Sequence, residues 1–492
     1  MSETRYIPAI EELPENLDLL RLFAILSQRP YAFFLDSASG PSRFGRYSFL
    51  GCDPFLVFSS KKNRVVLKWR DGSQKTIISD PFICLKKIFN KFYMTSHEGG
   101  IPFLSGGVGY FSYDLKDLIE DLPNIAKDDL NIPDCLMGFY DIVIIYNHHQ
   151  KRAYIASSGF PDLERNANNS RKKERLDEFK KIIFSQYRRS EKSAEKPCWA
   201  PQAGQPVSSS FSKKDYMETV EKIKRYIKKG DIYQANLSQR FKTTLSVPAL
   251  ELYRRLRELS PAPFFSYLDF GQVKVLSSSP ERFLLKRGRY IETRPIKGTR
   301  PRGSNGDEDL RFKKELMKSA KDLAEHIMIV DLERNDLGII CEYGSVSPKE
   351  LFALEKYSNV FHLVSTVSGR LKKDVGAIDC LLAAFPGGSI TGAPKIRSME
   401  IIEELEPVRR AVYTGAIGYI SFDGNMDTSI AIRTFIVKGR DLYFQVGGAI
   451  VADSIPEKEY EETIHKAMAM IKALGAEHIL HENLRSKELA GI

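Results

Sequence analysis

Short apolar runs closed by Gly, Pro, Asn or Asp fill residues 1–160, and they commit this part of the chain to strands joined by tight connections. The runs YAFFLD, YSFLGCDPFLVFSS, NRVVLKWRDGSQKTIISD, LSGGVGYFSYD and YDIVIIYN are rich in aromatic and β-branched residues, which suit a pleated surface, and turn formers bound them. Only 17–28 and 81–93 carry helical spacing in this region. Residues 161–210 then turn polar. A charged amphipathic helix is followed there by KPCWAPQAGQPVSSS, and the composition reads as a connector between an N-terminal region, 1–160, and a second region, 211–483.

In the second region Ser212 can cap a helix in which Tyr216, Val220, Ile223 and Ile227 share one face, and Gly230 ends it. Strand runs follow, then a helix over about 308–330, more strand and helix, and a last helix at 456–474. No repeat of fixed period is present, and strands do not alternate strictly with helices. The order predicts an α+β fold with antiparallel sheets.

The chain has 492 residues, 42% of them hydrophobic, which is enough to enclose a deep site. Its net charge of +10 comes from Lys and Arg scattered among acids and from the run 165–196, so a solvated charged connector accounts for it, and no nucleic-acid motif supports the other reading. The six cysteines lie far apart, with no CxxC and no His at zinc-ligand spacing, so reduced thiols in a cytoplasm are expected. The acidic start of the sequence does not resemble a signal peptide, and no apolar run reaches membrane-spanning length.

Two acidic pairs, Asp322 with Glu325 and Glu459 with Glu462, stand at i, i+3 on expected helices, so each pair shares a helical face. Two such faces brought together offer hard oxygen ligands for a half-open magnesium site, while spacing alone more often describes solvated acidic faces, since such pairs are common there. The run TRPIKGTRPRG, 293–303, crowds Arg294, Lys297, Arg300 and Arg302 beside Gly298 and two prolines. That composition is poor material for a regular element. It suits either a rigid loop that presents cations and amides to an anion or a solvated basic loop. A lysine partly buried among arginines has its ammonium form disfavoured by desolvation and by like charge, which leaves a nucleophilic amine. Gly-rich turns in FPGGSITGAPK, YTGAIGYISFDG and QVGGAIV let main-chain N–H groups approach carboxylate oxygens, and the absence of GxxxxGK[ST] argues against nucleoside triphosphates.

Taken in order, GGVGYFSYD (106–114), GDIYQANLSQRF (230–241), SSSPERF (277–283), RPIKGTRPRG (294–303), EHIMIVDLERNDLG (325–338), FPGGSITGAPK (385–395), YTGAIGYISFDG (413–424), IAIRTF (430–435) and GGAIVADSIPEKEYEET (447–463) resemble the chorismate-utilising enzyme family, which includes anthranilate, aminodeoxychorismate and isochorismate synthases. The resemblance covers most of the chain. It implies antiparallel β-sheets packed around a central cleft and flanked by helices. By position it makes Glu325 and Glu462 magnesium ligands, with Asp322 and Glu459 as supporting carboxylates. It assigns contacts with the chorismate dianion to Gly298, Thr299, Thr391, Gly392, Tyr413, Arg433 and the main chain of Gly447, Gly448 and Ala449, where the family often has three glycines.

Within the family, PIKGT looks like the aminodeoxychorismate synthases, since anthranilate synthases usually carry alanine at the lysine position. The implied mechanism has Lys297 attack ring carbon 2 and displace the hydroxyl at carbon 4, with Glu281 of SPERF as general acid, before ammonia enters at carbon 4. His362 matches a family histidine near the site, in a catalytic or an orienting role. FLDSASG (34–40) and SPAPFFSYL (260–268) resemble the segments that form a tryptophan pocket, placing Ser37, Pro263, Phe264 and Phe265 there. No cysteine sits in a glutaminase nucleophile turn with a downstream HxE pair, so ammonia must come from solution or from a separate glutamine amidotransferase small subunit. The competing expectations are an anthranilate synthase large subunit that carries a lysine, or a family member without catalysis.

Overall fold

The protein, described here from a computed structural model, is defined for residues 6–14, 17–37, 44–95, 99–190, 206–357 and 360–476. Its strands form two twelve-stranded antiparallel sheets. The first runs Ala9–Glu12, Arg152–Ser157, Ile142–Asn147, Tyr47–Gly51, Phe33–Asp36, Phe264–Asp269, Val273–Ser279, Thr434–Lys438, Asp441–Ile450, Gln234–Thr244 and Ser208–Ser209, with Gly392–Ala393 paired to Gln234–Thr244. The second runs Ile296–Pro301, Val360–Arg370, Tyr290–Thr293, Arg282–Arg287, Met426–Ile430, Ala416–Ser421, Gly106–Phe111, Cys135–Tyr140, Leu56–Lys61, Arg64–Trp69 and Gln74–Ile78, with Ser347–Lys356 beside Val360–Arg370. This is the α+β arrangement expected from the order of elements.

Both faces of the first sheet are buried, which explains why its strands read as continuous apolar runs. Phe33, Ile145, Val275 and Ile436 point into the layer shared with the second sheet, beside Phe58, Phe103, Tyr140 and Phe422. Their chain neighbours Phe34, Ile144, Leu276 and Phe435 point the other way, into a layer closed by Phe23, Phe179, Leu252 and Met470. Period-two alternation therefore divides one hydrophobic run between two cores.

The N-terminal strands build no sheet of their own. Phe33–Asp36 pairs with Phe264–Asp269, and Gly106–Phe111 with Ala416–Ser421, so both sheets run through the two regions separated in sequence by 161–210. Of that connector, the helix Arg165–Ser190 is described, while 191–205 and Cys198 lie outside the described residues. The expected strand YDIVIIYN splits at Asp141, where the chain passes from Cys135–Tyr140 to Ile142–Asn147 in the other sheet. Asp141 is buried at that corner and paired with Arg70 and Arg175.

Ser212 and Gly230 bound the helix Lys213–Lys229 as expected, the glycine closing it at φ 84°. The helix expected over 308–330 is two helices, Gly306–Lys318 and Ala320–Ile340. Ser319 divides them because its backbone is extended and its side chain accepts from Asp322 N–H, capping the second helix. Among the described residues no helix is long and apolar enough to cross a membrane, and Cys52, Cys84, Cys135, Cys341 and Cys380 are free and buried.

A buried ion pair joins these layers. Arg410 donates to both oxygens of Glu406 at 2.8 and 2.9 Å, to Ile390 O at 3.0 Å and to Asn236 O at 2.9 Å. Glu406 also accepts from the amide and hydroxyl of Ser238. Removing one partner of such a pair leaves a buried uncompensated charge, so Arg410→Met should lower unfolding free energy by about 3–5 kcal/mol in urea titrations. Adding Glu406→Gln should restore part of the loss, and a single-variant loss below about 1 kcal/mol would show that the pair ties nothing together.

Candidate active site

Lys297 stands on the edge strand of the second sheet. The run TRPIKGTRPRG was expected as a loop, but Ile296–Pro301 pairs with Val360–Arg370, an edge position that tolerates Pro301. Ile296 lies opposite Val364 and Thr299 opposite His362, so Lys297 and Gly298 together face Leu363, a bulge that re-aims the lysine. Gly298 takes φ 84°, and a Cβ there would meet Leu316 Cδ1 at 2.9 Å. His326 supports the bulge from helix Ala320–Ile340. Its Nδ1 lies 3.3 Å from Lys297 O and its Nε2 2.6 Å from Ser365 Oγ. A carbonyl can only accept, so Nδ1 carries the proton and Nε2 accepts from the serine. Burial holds His326 down to about 4, consistent with that neutral tautomer.

The neighbouring arginines do not serve an anion. Arg294 is buried against Glu350 and Glu355, Arg300 bonds Glu315 and Asp322, and Arg302 bonds Asp309. Lys297 alone in this motif has no hydrogen bond or salt bridge from its Nζ among the described residues. Its pKa is lowered mainly by burial, with the charge of Lys466 adding and Glu325, Glu281 and Glu462 opposing. The like charge thus comes from Lys466, not from the arginines of its own motif.

Glu281 sits in the turn between Val273–Ser279 of the first sheet and Arg282–Arg287 of the second, where the chain crosses between them. It is buried, accepts from Ser389 Oγ at 2.5 Å and Ile296 N at 3.4 Å, and is raised above the usual carboxylate range by desolvation. Lys297 and Arg433 are the cations that oppose that shift. Arg433 holds a left-handed backbone, φ 50°, fixed by Ser278 N–H and Oγ–H donating to its carbonyl. Its guanidinium has no salt bridge or hydrogen bond among the described residues, and burial lowers its pKa.

The acidic faces do approach one another, from helices Ala320–Ile340 and Pro456–Ala473. Burial raises Glu325, with Asp322 and Glu462 adding to the shift, and burial raises Glu459, with Glu462 adding. A Cβ on Gly448 would meet Glu462 Oε1 at 3.3 Å and Glu459 Oε2 at 3.5 Å, so both carboxylates converge over that glycine. Asp322 is tied to Arg300 at 2.8 Å, Glu459 to Ser454 at 2.6 Å and Glu462 to Lys466 at 2.7 Å. Among the described residues no three His, Cys, Asp or Glu side chains form a ready metal cage. The donor set fits a hard cation that takes its remaining oxygens from ligand and water.

The residues expected to meet the dianion are distributed around this crossing. Gly447, Gly448 and Ala449 lie on Asp441–Ile450 opposite Ser238, Leu237 and Asn236, and Ala449 keeps extended backbone. Gly447 O accepts from Lys466. Thr391 is buried and turned inward to Gly387 O, and Gly392 lies so close to Gln234 O and Ser398 that a Cβ has no room. Tyr413 is buried on the segment that begins at Arg410, and its hydroxyl makes no hydrogen bond among the described residues. Thr299 Oγ1 meets His362 Nδ1 at 2.9 Å. His362 is buried with Nε2 unpartnered, and desolvation and then Arg433 hold it down to about 3. At neutral pH it is therefore an uncharged imidazole.

Ser37, Pro263, Phe264 and Phe265 line one cavity of ≈ 70 Å³ between the sheets, shared with Tyr47 and Tyr419. Residues 38–40 of FLDSASG lie outside the described residues. Ser389, Ser365 and His326 were not singled out in the sequence. The only signal for them was adjacency, of Ser389 to Thr391 in PGGSITG, of His326 to Glu325 in EHIMIVD and of Ser365 to His362 in FHLVSTVSG.

Residues 53–472 match the family described as chorismate binding enzyme. Anthranilate synthase component 1 of Acetivibrio thermocellus is 40% identical over 473 residues, 95% of each chain. Aminodeoxychorismate synthase component 1 of Bacillus subtilis (strain 168) is 37% identical over 469 residues, 95% of this chain and 97% of that one. The crystal structure of anthranilate synthase component I from Streptococcus pneumoniae TIGR4 aligns with a TM-score of 0.75 at 31% identity, covering 87% of this chain and 92% of that one. The chain belongs to the chorismate binding enzyme family. It is a chorismate-utilising enzyme with the anthranilate synthase large-subunit fold.

The two buried imidazoles give the fold an acid-sensitive limb. The folded pKa values, about 4 for His326 and about 3 for His362, lie below the unfolded value of 6.5. The unfolded chain therefore binds protons that the folded chain refuses. Stability is complete above 6.5 and falls as pH drops, by about 1.4 kcal/mol per pH unit for each histidine. Urea titrations at about pH 7 and pH 5 should differ by about 2 kcal/mol per histidine, and His326→Asn should remove that one share. An unchanged slope in the variant would mean that His326 is protonated in the fold.

Proposed function

We propose that this protein is the large subunit of an aminodeoxychorismate synthase, converting chorismate and ammonia to 4-amino-4-deoxychorismate for 4-aminobenzoate and folate synthesis in the cytoplasm. The observation that carries this reading is the placement of Lys297. Among the described residues it is the one cation of its motif without a carboxylate partner, it is aimed by a bulge, and burial lowers its pKa while raising that of the neighbouring Glu281. A neutral amine beside a neutral acid is the pairing that a displacement of hydroxide requires.

In the proposed sequence Lys297 Nζ bonds to ring carbon 2, both ring double bonds shift, and the carbon 4–oxygen bond breaks as Glu281 supplies the proton that makes water. The proton lost by the lysine nitrogen returns to Glu281. Ammonia then bonds to carbon 4, both double bonds shift back, and the carbon 2–nitrogen bond breaks as Glu281 protonates the leaving lysine amine and is reprotonated by the proton that the ammonia nitrogen sheds. Arg433 provides a planar fork for one carboxylate, Tyr413 a hydroxyl donor, and the amides around Gly447 to Ala449 the remaining donors. Glu325 and Glu462, with Glu459 and Asp322 behind them, would hold magnesium, which supplies Lewis-acid stabilisation of the carboxylate charge. Ammonia is delivered by a glutamine amidotransferase small subunit. A second reading, anthranilate synthase, is favoured by the 40% identity to a relative of that name.

Purified protein given chorismate and magnesium without ammonia should gain chorismate less one water at Lys297, read by peptide mass spectrometry. Ammonium salt, but not glutamine, should then release aminodeoxychorismate, and Lys297→Ala should lose the adduct and slow product formation by at least about a hundredfold. Release of anthranilate and pyruvate with no adduct would establish the second reading. Glu325→Gln or Glu462→Gln should abolish turnover with the unfolding midpoint kept within a few degrees, and excess EDTA should do the same to wild type. Full activity in EDTA would overturn the magnesium assignment.

A further inference from the structure

Another buried carboxyl lies behind Glu281 and takes no part in the sequence above. Glu333, on helix Ala320–Ile340, is 2% exposed. Its Oε1 accepts from Gly388 N–H at 2.9 Å, and its Oε2 is buried without a hydrogen-bond partner among the described residues. Gly388 opens the turn Gly388–Ile390, and the next residue, Ser389, donates its hydroxyl to Glu281 at 2.5 Å. The far end of the same turn is held by Arg410 on Ile390 O and by Asn236 Nδ2 on Ser389 O. The turn that positions the Glu281 carboxyl therefore rests on Glu333.

We propose that Glu333 is a positioning residue which, as a neutral carboxylic acid, holds the Gly388–Ser389 backbone so that the serine hydroxyl stays on Glu281. The proposal rests on the assignment of Glu281 as general acid. A charged carboxylate with one oxygen dry and unpartnered is far costlier than a neutral acid in the same place. The groups that face Glu333 push in the same sense. Burial and then Asp336, one turn further on the helix, raise its pKa, and Glu281 adds to this from across the turn. Lys395, which opposes the shift, gives its ammonium to Asp336 at 2.5 Å and to Ala384 O, and the Gly388 amide is the other opposing group. The proton on Glu333 is thus kept at neutral pH and released on the alkaline side. Release puts a second negative charge behind Glu281, on a carboxyl whose other oxygen has no hydrogen-bond partner among the described residues.

The test is steady-state loss of chorismate over a pH series, with total chorismate consumption measured so that the identity of the product does not enter. Glu333→Gln presents the same acceptor to Gly388 and cannot ionise. It should keep kcat near wild type at neutral pH and move the alkaline limb of the kcat profile to higher pH. Glu333→Ala removes the acceptor and should lower kcat about tenfold. Combined with Ser389→Ala it should be no slower than Ser389→Ala alone, since both act through one link. Isotope-edited infrared spectra of wild type minus Glu333→Gln should contain a protonated carboxyl band at neutral pH, a readout independent of turnover. An ionised carboxylate band, an alkaline limb unmoved in Glu333→Gln, or multiplying effects in the double variant would each overturn the proposal. Failure of the Lys297 adduct would remove the aminodeoxychorismate reading and leave these outcomes intact.

Discussion

The Arg410–Glu406 pair holds together the parts on which the site depends. One guanidinium reaches Asn236 on the strand opposite Gly447 to Ala449, Ile390 on the turn that carries Ser389 and Thr391, and the segment leading to Tyr413. Glu406 adds Ser238 from the same strand. Removing two charges from water is expensive, and an apolar pair of similar volume can be as stable. What this pair provides is direction, because a planar fork and a carboxylate fix three backbone segments at hydrogen-bond distances. An apolar contact between the same segments would leave their relative register loose.

A contrast in charge satisfaction then marks the cleft. Arg294, Arg300 and Arg302 are each matched by carboxylates, so the basic look of their motif disappears in the fold. Lys297 and Arg433 have no such match among the described residues, near a buried Glu281, and neither the Tyr413 hydroxyl nor His362 Nε2 has a hydrogen-bond partner among them. Unmet donors and charges in a low-dielectric cleft cost stability, and a dianion with ring and hydroxyl groups could meet them. The acidic faces opposite are strained in the other sense, since burial and mutual repulsion raise Glu325 and Glu459. The cleft thus sets cations without carboxylate partners on one side and crowded, buried carboxylates on the other.

Topology explains why these groups meet. Among the places where the chain crosses from one sheet to the other are Asp141 and Glu281, and Glu281 at its crossing belongs to neither sheet. Helices Ala320–Ile340 and Pro456–Ala473 close the space between the sheets from two sides and bring their acidic turns toward Lys297. The bulge at Lys297–Gly298 is the local device that directs the amine inward, and its carbonyl, left without a ladder partner, is taken by His326.

The sequence by itself determined the α+β class, the positions of most strands, the caps at Ser212 and Gly230, and the family, because these rest on local spacing, turn chemistry and ordered motifs that read directly along the chain. It also named Glu281, Lys297, Glu325, Arg433 and Glu462, whose gathering in one cleft depends on the fold. Other points were decided only by tertiary structure. The strands at 1–160 join both sheets, the run after Gly306 breaks at Ser319, and 296–301 is a bulged edge strand, since pairing partners far away in sequence outweigh local preference. The same distance hid the partners of charge. No spacing rule tells that Arg300 answers Asp322, that Lys466 and not an arginine faces Lys297, or that Ser389 and His326 support Glu281 and the Lys297 backbone, because hydrogen bonds and burial are set by which surfaces the two sheets bring within a few ångströms.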